Sequence, residues 1–288
     1  MENHVGLQKI EIAKLKILED ILKREIGEKL ETVTNYSENF NLSLGTIQKA
    51  LTLLLEENVI KLEKKGKWGS VITFIDYEKL LQMLGKKFLL CVMPITYSEK
   101  YKTLLSQLEK DFKLDIPVYF AHMRGGNTRL RLIENKIYDF GIVSKLAALK
   151  AIENGAEIEM IKEFGKESYV QKHIILKRKK IGEKIKVGID KESDDHVFLT
   201  NSYFLKESNI EFVDIRYSEV IEKIVDGTVD AAIWNYDDIL NKEVLLKNND
   251  IEYFDLLQNE NNIYATEAVI VTQKDNRLIK NIFEYFVN

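Results

Sequence analysis

A stripe of apolar residues follows Ser43 at the spacing of an amphipathic helix. The residues that recur at i, i+3, i+4 and i+7 are Ile47, Ala50, Leu51 and Leu54. This spacing places them on one buried face of a helix. Ser43 can accept a hydrogen bond from a free backbone N–H of the first turn, so we expect it to be the N-cap. The pattern predicts a helix that begins after Ser43 and leaves its polar face uncovered.

A short basic hairpin is predicted directly after this helix. Residues 59–62 and 70–74 form two apolar runs, and the glycines between them permit the positive φ that a tight turn needs. Residues 34–40 are expected to form a short helix before the turn at 41–42, so the order is helix, turn, helix and wing. Trp68, in the hairpin turn, either covers the small sheet or stacks on a sugar. We favour cover, because an aromatic side chain on a small sheet supplies buried area.

Polar and cationic side chains of this segment suit a nucleic-acid surface. Hydroxyl, amide and ammonium groups near the start of the second helix can contact base edges and phosphates in a major groove, and wing lysines can contact phosphates. The alternative is a small helical domain whose helix and hairpin only pack together. We favour double-stranded DNA as the partner. The expected contact residues are Ser43, Thr46, Gln48, Lys49, Lys64, Lys65 and Lys67.

Composition fits a globular protein of about two domains, with 45% hydrophobic and 31% charged residues among 288. The net charge of −4 argues weakly against nucleic acid, but residues 1–75 contain 11 basic and 11 acidic residues, so the acidic excess lies in the rest of the chain. Residues 43–70 hold five lysines against three glutamates. So small a basic footprint suits a homodimer, in which two modules share the DNA contacts.

Several classes of protein are disfavoured by the sequence. The first residues form no apolar signal segment and no stretch is a membrane span, so we expect a cytoplasmic protein that does not contact the membrane. Cys91 is the one cysteine and stands in an apolar run, and the four histidines show no zinc-ligand spacing. We therefore expect neither a metal nor another cofactor.

From residue 88 onward, short apolar runs alternate with amphipathic segments. This alternation predicts an α/β domain with a mostly parallel sheet and crossover helices. The predicted strands are 88–93, 117–123, 138–143, 169–176, 185–189, 211–217, 229–234 and 268–272. The predicted helices are 99–111, 128–135, 145–154, 220–226 and 236–246, and 76–84 is an amphipathic connector.

Ligands of open α/β sheets bind beyond the carboxyl ends of the strands, where this chain is polar. Gly125 and Gly126 let backbone amides approach a ligand at the start of a helix, which favours an anion, and Arg124 adds a forked cation. The alternative is a plain turn with a surface ion pair. The acidic loop 190–195 is equally well a solvated turn that caps a helix through Ser193 or Asp194. The candidate ligand-binding residues are Thr96, Tyr97, Ser98, Arg124, Gly125, Gly126, Asn127, Ser144, Asp190, Trp234, Asn235 and Glu267.

No catalytic triad, carboxylate pair or metal set is readable, so we expect a binding protein and not an enzyme. The alternative is an enzyme that acts on a small metabolite. Its candidate residues would be Tyr97, His122, Arg124 and Glu267.

Short motifs across residues 40–275 resemble the YhfZ family of bacterial transcriptional regulators. They include the wing that ends at Ser70, the strings at 92–94, 121–125, 187–190 and 230–235, and the string at 265–268. The resemblance implies a GntR-like winged helix followed by a domain similar to type 2 periplasmic-binding proteins, with two lobes around a ligand cleft. It implies a regulator whose C-terminal domain binds a small effector, and the groups around Arg124 lead us to expect an anion.

The expected domain boundaries follow from this resemblance. Residues 1–75 would form the winged helix-turn-helix domain, 76–87 the connector helix and 88–288 the effector domain. Lobe 1 would contain about 88–166 and 268–288, and lobe 2 about 167–267.

Overall fold

A computed structural model describes residues 2–95, 99–112, 116–205, 209–256 and 259–286. The chain divides into two compact units. The first contains Met1–Leu89, Phe112–Val118 and Asn276–Asn288, and the second contains Leu90–Asp111 and Tyr119–Asp275.

The first unit has the predicted order of helix, turn, helix and wing. Its elements are α1 (Glu2–Ile21), α2 (Val33–Phe40), α3 (Leu44–Glu56), β1 (Ile60–Lys64), β2 (Ser70–Ile75) and α4 (Tyr77–Met83). Strands β1 and β2 pair antiparallel, and a 3-10 turn at Gly66–Trp68 joins them. The helix-turn-helix part of the predicted fold class is therefore confirmed.

Local hydrogen bonds fix the turn between α2 and α3. Asn41 ends α2 in the left-handed conformation with φ 54°, and Ser37 Oγ donates to the carbonyl of Leu42 at 2.6 Å. Ser43 Oγ accepts from the backbone N–H of Thr46 at 3.2 Å, which confirms the predicted N-cap.

The apolar stripe of α3 lies in the core of the first unit. Ile47, Ala50 and Leu54 are fully buried, as predicted, and they belong to the same apolar cluster as Ile17 of α1. A buried Ile or Leu side chain contributes about 1.5–3 kcal/mol relative to an exposed one. Tyr77, at the start of α4, is buried in that cluster too, so α4 packs as part of this unit.

The last helix of the chain, Arg277–Phe286, groups with the first unit, whereas residues 268–288 were expected in lobe 1. Leu278 packs against the winged-helix core. Arg277 Nη1 donates to the carbonyl of Lys23 and lies 3.2 Å from Glu28 Oε2. These contacts explain the grouping.

The second unit contains two five-stranded sheets. Its strands are β3 (Leu89–Met93), β4 (Val118–His122), β5 (Phe140–Ser144), β6 (Ile158–Glu163), β7 (His173–Arg178), β8 (Ile185–Ile189), β9 (Ile210–Asp214), β10 (Ala231–Asn235), β11 (Ile251–Asp255) and β12 (Ala268–Gln273). The strand orders are β4-β3-β5-β12-β6 and β11-β7-β10-β8-β9. We call the parts built on these sheets lobe 1 and lobe 2.

Helices cover both sheets. They are α5 (Glu99–Asp111), α6 (Gly126–Glu134), α7 (Lys145–Glu153), α8 (Asp194–Phe204), α9 (Val220–Val225), α10 (Glu243–Asn248) and α11 (Glu260–Tyr264), and the terminal helix becomes α12. Every residue of the strands β5, β10 and β12 is buried, so these strands form the middle of their sheets. The α/β fold with two sheets agrees with the predicted fold class.

Several predicted details are wrong. The sheets are mixed and not mostly parallel, because β12 runs antiparallel to β5 and β6, and β7 runs antiparallel to β10 and β11. A strand buried on both faces is continuously apolar whichever way its neighbour runs, so the pattern cannot tell the two apart.

Edge strands and short helices account for the other errors. β6 and β11 were missed because edge strands carry charged residues, as in Ile-Glu-Tyr-Phe-Asp of β11. The strand predicted at 169–176 is β7, which begins at His173. Residues 236–242 form turns, so the helix predicted at 236–246 begins only at Glu243. Helices α11 and α12 were not predicted, and α8 was expected only as the helix capped in the alternative for the acidic loop 190–195. No helix in the described ranges is both long enough and apolar enough to cross a membrane.

Candidate functional site

The second helix of the helix-turn-helix presents polar side chains to solvent. Gln48 and Lys49 of α3 are exposed. Thr46 is half-buried, and its Oγ1 lies 2.8 Å from Oγ of Ser43. The two hydroxyls therefore belong to the helix cap, while the amide and ammonium groups extend from the exposed face.

The wing carries its charge at the tip. Lys64, Lys65 and Lys67 are exposed, and the 3.6 Å ion pair of Lys65 with Glu63 is exposed as well. An exposed pair of this kind contributes about 0–1 kcal/mol, so it leaves the lysine available to another anion.

Trp68 is 80% exposed, so the prediction that it covers the sheet is wrong. The last paired residues of the hairpin are Lys64 and Ser70, and Trp68 lies in the turn beyond them. The positive φ of Gly66 (54°) and Gly69 (88°) allows this turn.

A cavity between lobe 1 and lobe 2 brings together part of the predicted ligand set. Arg124, Gly125, Gly126 and Asp190 line it. Its volume is about 80 Å³. Thr96, Tyr97 and Ser98 lie outside the described residues.

Arg124 and Asp190 form an ion pair across this cavity. The guanidinium of Arg124 contacts both carboxylate oxygens, at 3.0 Å and 3.4 Å. The Asp190 side chain is 2% exposed and also accepts from the backbone N–H groups of Glu192 and Tyr217 at 3.0 Å and 2.8 Å. Asp190 is thus a satisfied buried carboxylate, and Arg124 is its charged partner from the other lobe.

Two more contacts join the lobes beside this pair. Asn127 Nδ2 donates to Asp194 Oδ1 at 2.7 Å, and Ser144 Oγ donates to Asp195 Oδ2. Ser144 also caps α7, accepting from the N–H of Ala147 at 3.1 Å. The N-terminal ends of α6 and α7 therefore meet carboxylates of lobe 2, as expected from the positive end of a helix dipole.

The acidic loop itself is a helix start. Ser193 Oγ accepts from the N–H of His196 and is the N-cap of α8, which confirms the capping alternative for this loop. Asp194 and Asp195 form the first turn of α8, where the helix dipole favours negative charge.

Gly125 allows the lobes to approach closely. Its φ is 80°, and a Cβ on it would lie 3.0 Å from the carbonyl oxygen of Glu192 in lobe 2. Any other residue would be strained there and would press on the opposite lobe.

Arg129 lines the cavity and was not predicted. It is 5% exposed, and its guanidinium donates to the carbonyls of Ile142 (3.1 Å) and Met123 (2.7 Å) and to the hydroxyl of Tyr169 (3.0 Å). Its spacing of four from Ile133 places it on the buried face of α6, and this was the signal in the sequence that could have found it.

Burial shifts the titration of three further cavity residues. Burial raises the pKa of Asp195 to about 6, although the hydrogen bond from Ser144 and the charge of Arg129 act in the opposite direction. Burial lowers the pKa of His196 to about 4, and burial together with the charge of His196 lowers the pKa of His173 to about 3. Both imidazoles are therefore neutral at neutral pH.

The two histidines differ in their partners. His196 Nδ1 accepts from the N–H of Asp190 at 2.8 Å, and its Nε2 donates to the carbonyl of Ile233 at 3.0 Å. His173 Nδ1 and Asp195 Oδ1 are buried and have no hydrogen-bond partner among the described residues. Such atoms are costly to bury unless something binds them.

Trp234, Asn235 and Glu267 lie outside the cavity lining. Trp234 is buried and packs on Tyr217, which lines the cavity, with ring centroids 4.3 Å apart. Asn235 binds the side chain and backbone of Asp238 at 3.1 Å and 2.9 Å. Glu267 forms an ion pair with Lys145 at 3.3 Å. These residues support neighbouring structure instead of facing the cleft.

Among the described residues named for the enzyme alternative, the side chains do not converge on one site. His122 Nδ1 lies 3.0 Å from the carbonyl of Pro94, and Glu267 is paired with Lys145, whereas Arg124 lines the cavity. Tyr97 is outside the described residues. Within the described ranges, no group of three or more His, Cys, Asp or Glu side chains is placed to hold a metal ion.

A helix-turn-helix unit joined to a two-sheet domain with a cleft defines a regulator with a binding-protein-like domain. Residues 25–72 match the family described as a helix-turn-helix domain, and residues 76–288 match the family described as the YhfZ C-terminal domain. The chain belongs to the YhfZ family, which confirms the predicted resemblance.

Similar proteins agree with this assignment. The chain is 32% identical over 270 residues to YhfZ of Escherichia coli (strain K12), covering 93% of this chain and 87% of that one. It is 33% identical to the crystal structure of YhfZ from Shigella flexneri, with a TM-score of 0.62 over 74% of this chain and 90% of the other.

A more distant structure shares the fold of the second unit. The alkanesulfonate-binding protein SsuA from Xanthomonas axonopodis pv. citri, bound to MOPS, is 13% identical with a TM-score of 0.50. The match covers 69% of this chain and 71% of that one, and it shows a similar fold alone.

Proposed function

We propose that this chain is a homodimeric, cytoplasmic transcription regulator that binds double-stranded DNA through its winged helix and senses a small anionic effector in the cleft between its lobes. The observation that carries the proposal is the exposed polar face of α3 beside a wing with three exposed lysines. A helix and a cationic wing in this order suit a major groove and its flanking phosphates.

The DNA contacts divide by their chemistry. Gln48 and Lys49 can reach base edges from the exposed face of α3, while Ser43 and Thr46 at its start contact the DNA backbone. Lys64, Lys65 and Lys67 contact phosphates and carry no sequence information. Two copies in a dimer would bind half-sites about 34 Å apart on one face of the duplex, the usual spacing for dimeric helix-turn-helix proteins.

Support for an anionic effector comes from lobe 1. Arg124, Arg129 and the start of α6 line the cleft, and Ser144 at the start of α7 donates to Asp195 of lobe 2. In this structure the guanidinium of Arg124 forms an ion pair with Asp190 of lobe 2. An effector anion therefore binds by sharing or taking that guanidinium, which changes the contact between the lobes.

Coupling to DNA requires that the effector bind two states of the protein with different affinities. The chain passes between the two units at residues 89–90, 111–112, 118–119 and 275–276. A change in the lobes can reach the winged helix along these connections, including the one that leads from β12 into α12. No cofactor and no catalytic step is part of this proposal.

DNA binding is tested with the full-length protein, a labelled fragment of its own promoter region and heparin as competitor. The combined substitution of Lys64, Lys65 and Lys67 by Ala should weaken binding at least tenfold, because phosphate contacts supply most of the affinity. The matched control replaces Lys179, Lys180 and Lys184 of lobe 2 by Ala and should bind as the wild type does. Equal binding by both variants would contradict the wing interface, and failure of the wild type to bind would contradict the proposal.

A further inference from the structure

The size of the cleft cavity limits what it can hold. An engineered apolar cavity of about 150 Å³ binds benzene, so a cavity of about 80 Å³ limits the ligand to a small molecule. The shortest carboxylic acids are molecules of this kind.

The polar residues that line the cavity have two different characters. On lobe 2, Asp195 and His173 line the cavity, and their buried atoms Oδ1 and Nδ1 lack a partner among the described residues. An ionised carboxylate only accepts hydrogen bonds, and a neutral imidazole nitrogen can accept one. This side of the cavity therefore calls for a donor, such as an ammonium or hydroxyl group.

The lobe 1 side has the opposite character. The contacts of Arg129 within the described chain engage three of its five N–H groups. Arg124 adds a second guanidinium, and the amide ends at Gly125 and Gly126 lie beside it. This side of the cavity therefore favours a carboxylate.

The rest of the wall is partly apolar, and it also contains the hydroxyl-bearing residues Tyr169, Ser193, Tyr217 and Ser218. Pro94, Ile95 and Met123 of lobe 1 and Leu199 of lobe 2 line the cavity. These side chains can accommodate a methyl or methylene group but offer no hydrogen bond to a third polar substituent.

We propose that the effector is a small carboxylic acid with an amino or hydroxyl group on the neighbouring carbon. Its carboxylate faces Arg124 and Arg129, and its donor group binds Asp195 Oδ1 and His173 Nδ1. The inference rests on the proposed function, since it narrows the anionic effector of that proposal to one chemical class. The two arginines are balanced by Asp190 and Asp195, so an amino acid zwitterion matches the cavity charge without a net imbalance.

The test compares acids that differ only in the donor group. Binding of L- and D-alanine, L- and D-lactate, glycine and glycolate is measured at pH 8 by calorimetry and thermal shift, with propionate and acetate as the donor-free partners. We expect at least one amino or hydroxy acid to bind at least tenfold more tightly than its donor-free partner, because that partner leaves Asp195 Oδ1 without a hydrogen bond. A comparison of alanine with lactate shows whether the ligand's donor is an ammonium or a hydroxyl group.

The substitution Asp195→Asn tests whether the donor group of the ligand binds Asp195 Oδ1. In Asp195→Asn, the amide oxygen can keep the hydrogen bond from Ser144, which turns the NH2 group toward the cavity. The NH2 group of the asparagine then faces the donor group of the ligand, and neither can accept a hydrogen bond from the other. The affinity for the best acid should therefore fall at least tenfold. Asp214→Asn is the matched control, since Asp214 is exposed on the same lobe and pairs only loosely with Lys191 at 3.6 Å; it should bind as the wild type does.

Two results would overturn the inference. One is equal affinity of propionate and of the best donor-bearing acid; the other is no binding by any member of the panel to wild-type protein. Because the comparison of acids uses the wild type, a variant that fails to fold does not affect it. If the acids fail in either way but the protein still binds DNA through its wing, the DNA-binding proposal holds. If only DNA binding is lost, the inference about the cleft holds.

Discussion

The cations of the winged helix and those of the cleft are in opposite physical situations. Lys64, Lys65 and Lys67 are exposed at the wing tip, whereas Arg129 is 5% exposed and Arg124 is paired with a buried carboxylate. Exposed charges act at a distance and are screened by salt. Buried charges are held in fixed geometry, so they select a ligand by its shape and its hydrogen bonds.

The comparison predicts that a buried cation matters for stability and an exposed one does not. Arg129→Ala leaves three acceptors without their donor and should destabilise the protein by about 3–5 kcal/mol, the usual cost of breaking a buried charged network. Urea unfolding measures the change. Arg131→Ala, an exposed arginine on the same helix, is the control and should change stability by less than about 0.5 kcal/mol. Similar destabilisation by both substitutions would contradict the proposed difference between a buried and an exposed arginine.

A second prediction concerns Asp195 and pH. Its pKa is raised to about 6, so its contribution to stability is fully present below the unfolded pKa of 3.8 and is lost as the pH rises through about 6. Asp195→Asn should therefore stabilise the protein at pH 7.5 by up to about 3 kcal/mol, the equivalent of about two pKa units. The gain should vanish near pH 4. Urea unfolding measured across this pH range checks the result. A gain in stability that does not depend on pH would contradict the raised pKa of the buried Asp195 carboxyl.

Trp68 offers a direct reporter of the wing. The chain has two tryptophans, of which Trp68 is 80% exposed and Trp234 is 3% exposed. In a Trp234→Phe background, DNA should quench the emission of Trp68 if its ring stacks on the nucleic acid. Trp68→Ala should then weaken binding by about 1–3 kcal/mol, and Trp68→Phe by less. Emission that is unchanged at saturating DNA would exclude the contact.

The smallest expected effect comes from a single wing lysine. Lys65→Ala should weaken binding to all DNA sequences alike, by about 1 kcal/mol, because it removes one phosphate interaction. The salt slope of log K should become shallower by about 0.9 for the same reason. Titration at several salt concentrations measures the slope. Lys184→Ala in lobe 2 is the control. An unchanged slope would show that Lys65 does not bind a phosphate.

The two regions also differ in how far sequence reasoning reaches. Ser43 and the stripe from Ile47 to Leu54 act within one helix, so local spacing was enough to predict the cap and the buried face. The burial of Trp68 was predicted wrongly. It depends on where the pairing of β1 with β2 ends, and the spacing of residues along the sequence does not determine that point.

Long-range contacts explain what was missed in the cleft. Strand ends pointed to Arg124, Gly125, Gly126 and Asp190, all of which line the cavity. The strand end before residues 190–195 pointed to the loop that carries Asp195, but strand ends gave no sign of several other polar residues of the lining. These include Arg129, Tyr169, His173, His196 and Tyr217. Their roles arise only when helices and strands distant in the chain meet.

The most direct test of the whole account is the affinity for promoter DNA with and without a bound small acid. Anisotropy of a labelled fragment is measured with wild-type protein and with Asp195→Asn, in the presence and absence of the tightest acid found. The account predicts a change of at least about fivefold for the wild type, a usual size for coupling between sites, and a much smaller change for the variant. Wild-type affinity that is identical with and without the acid would contradict it.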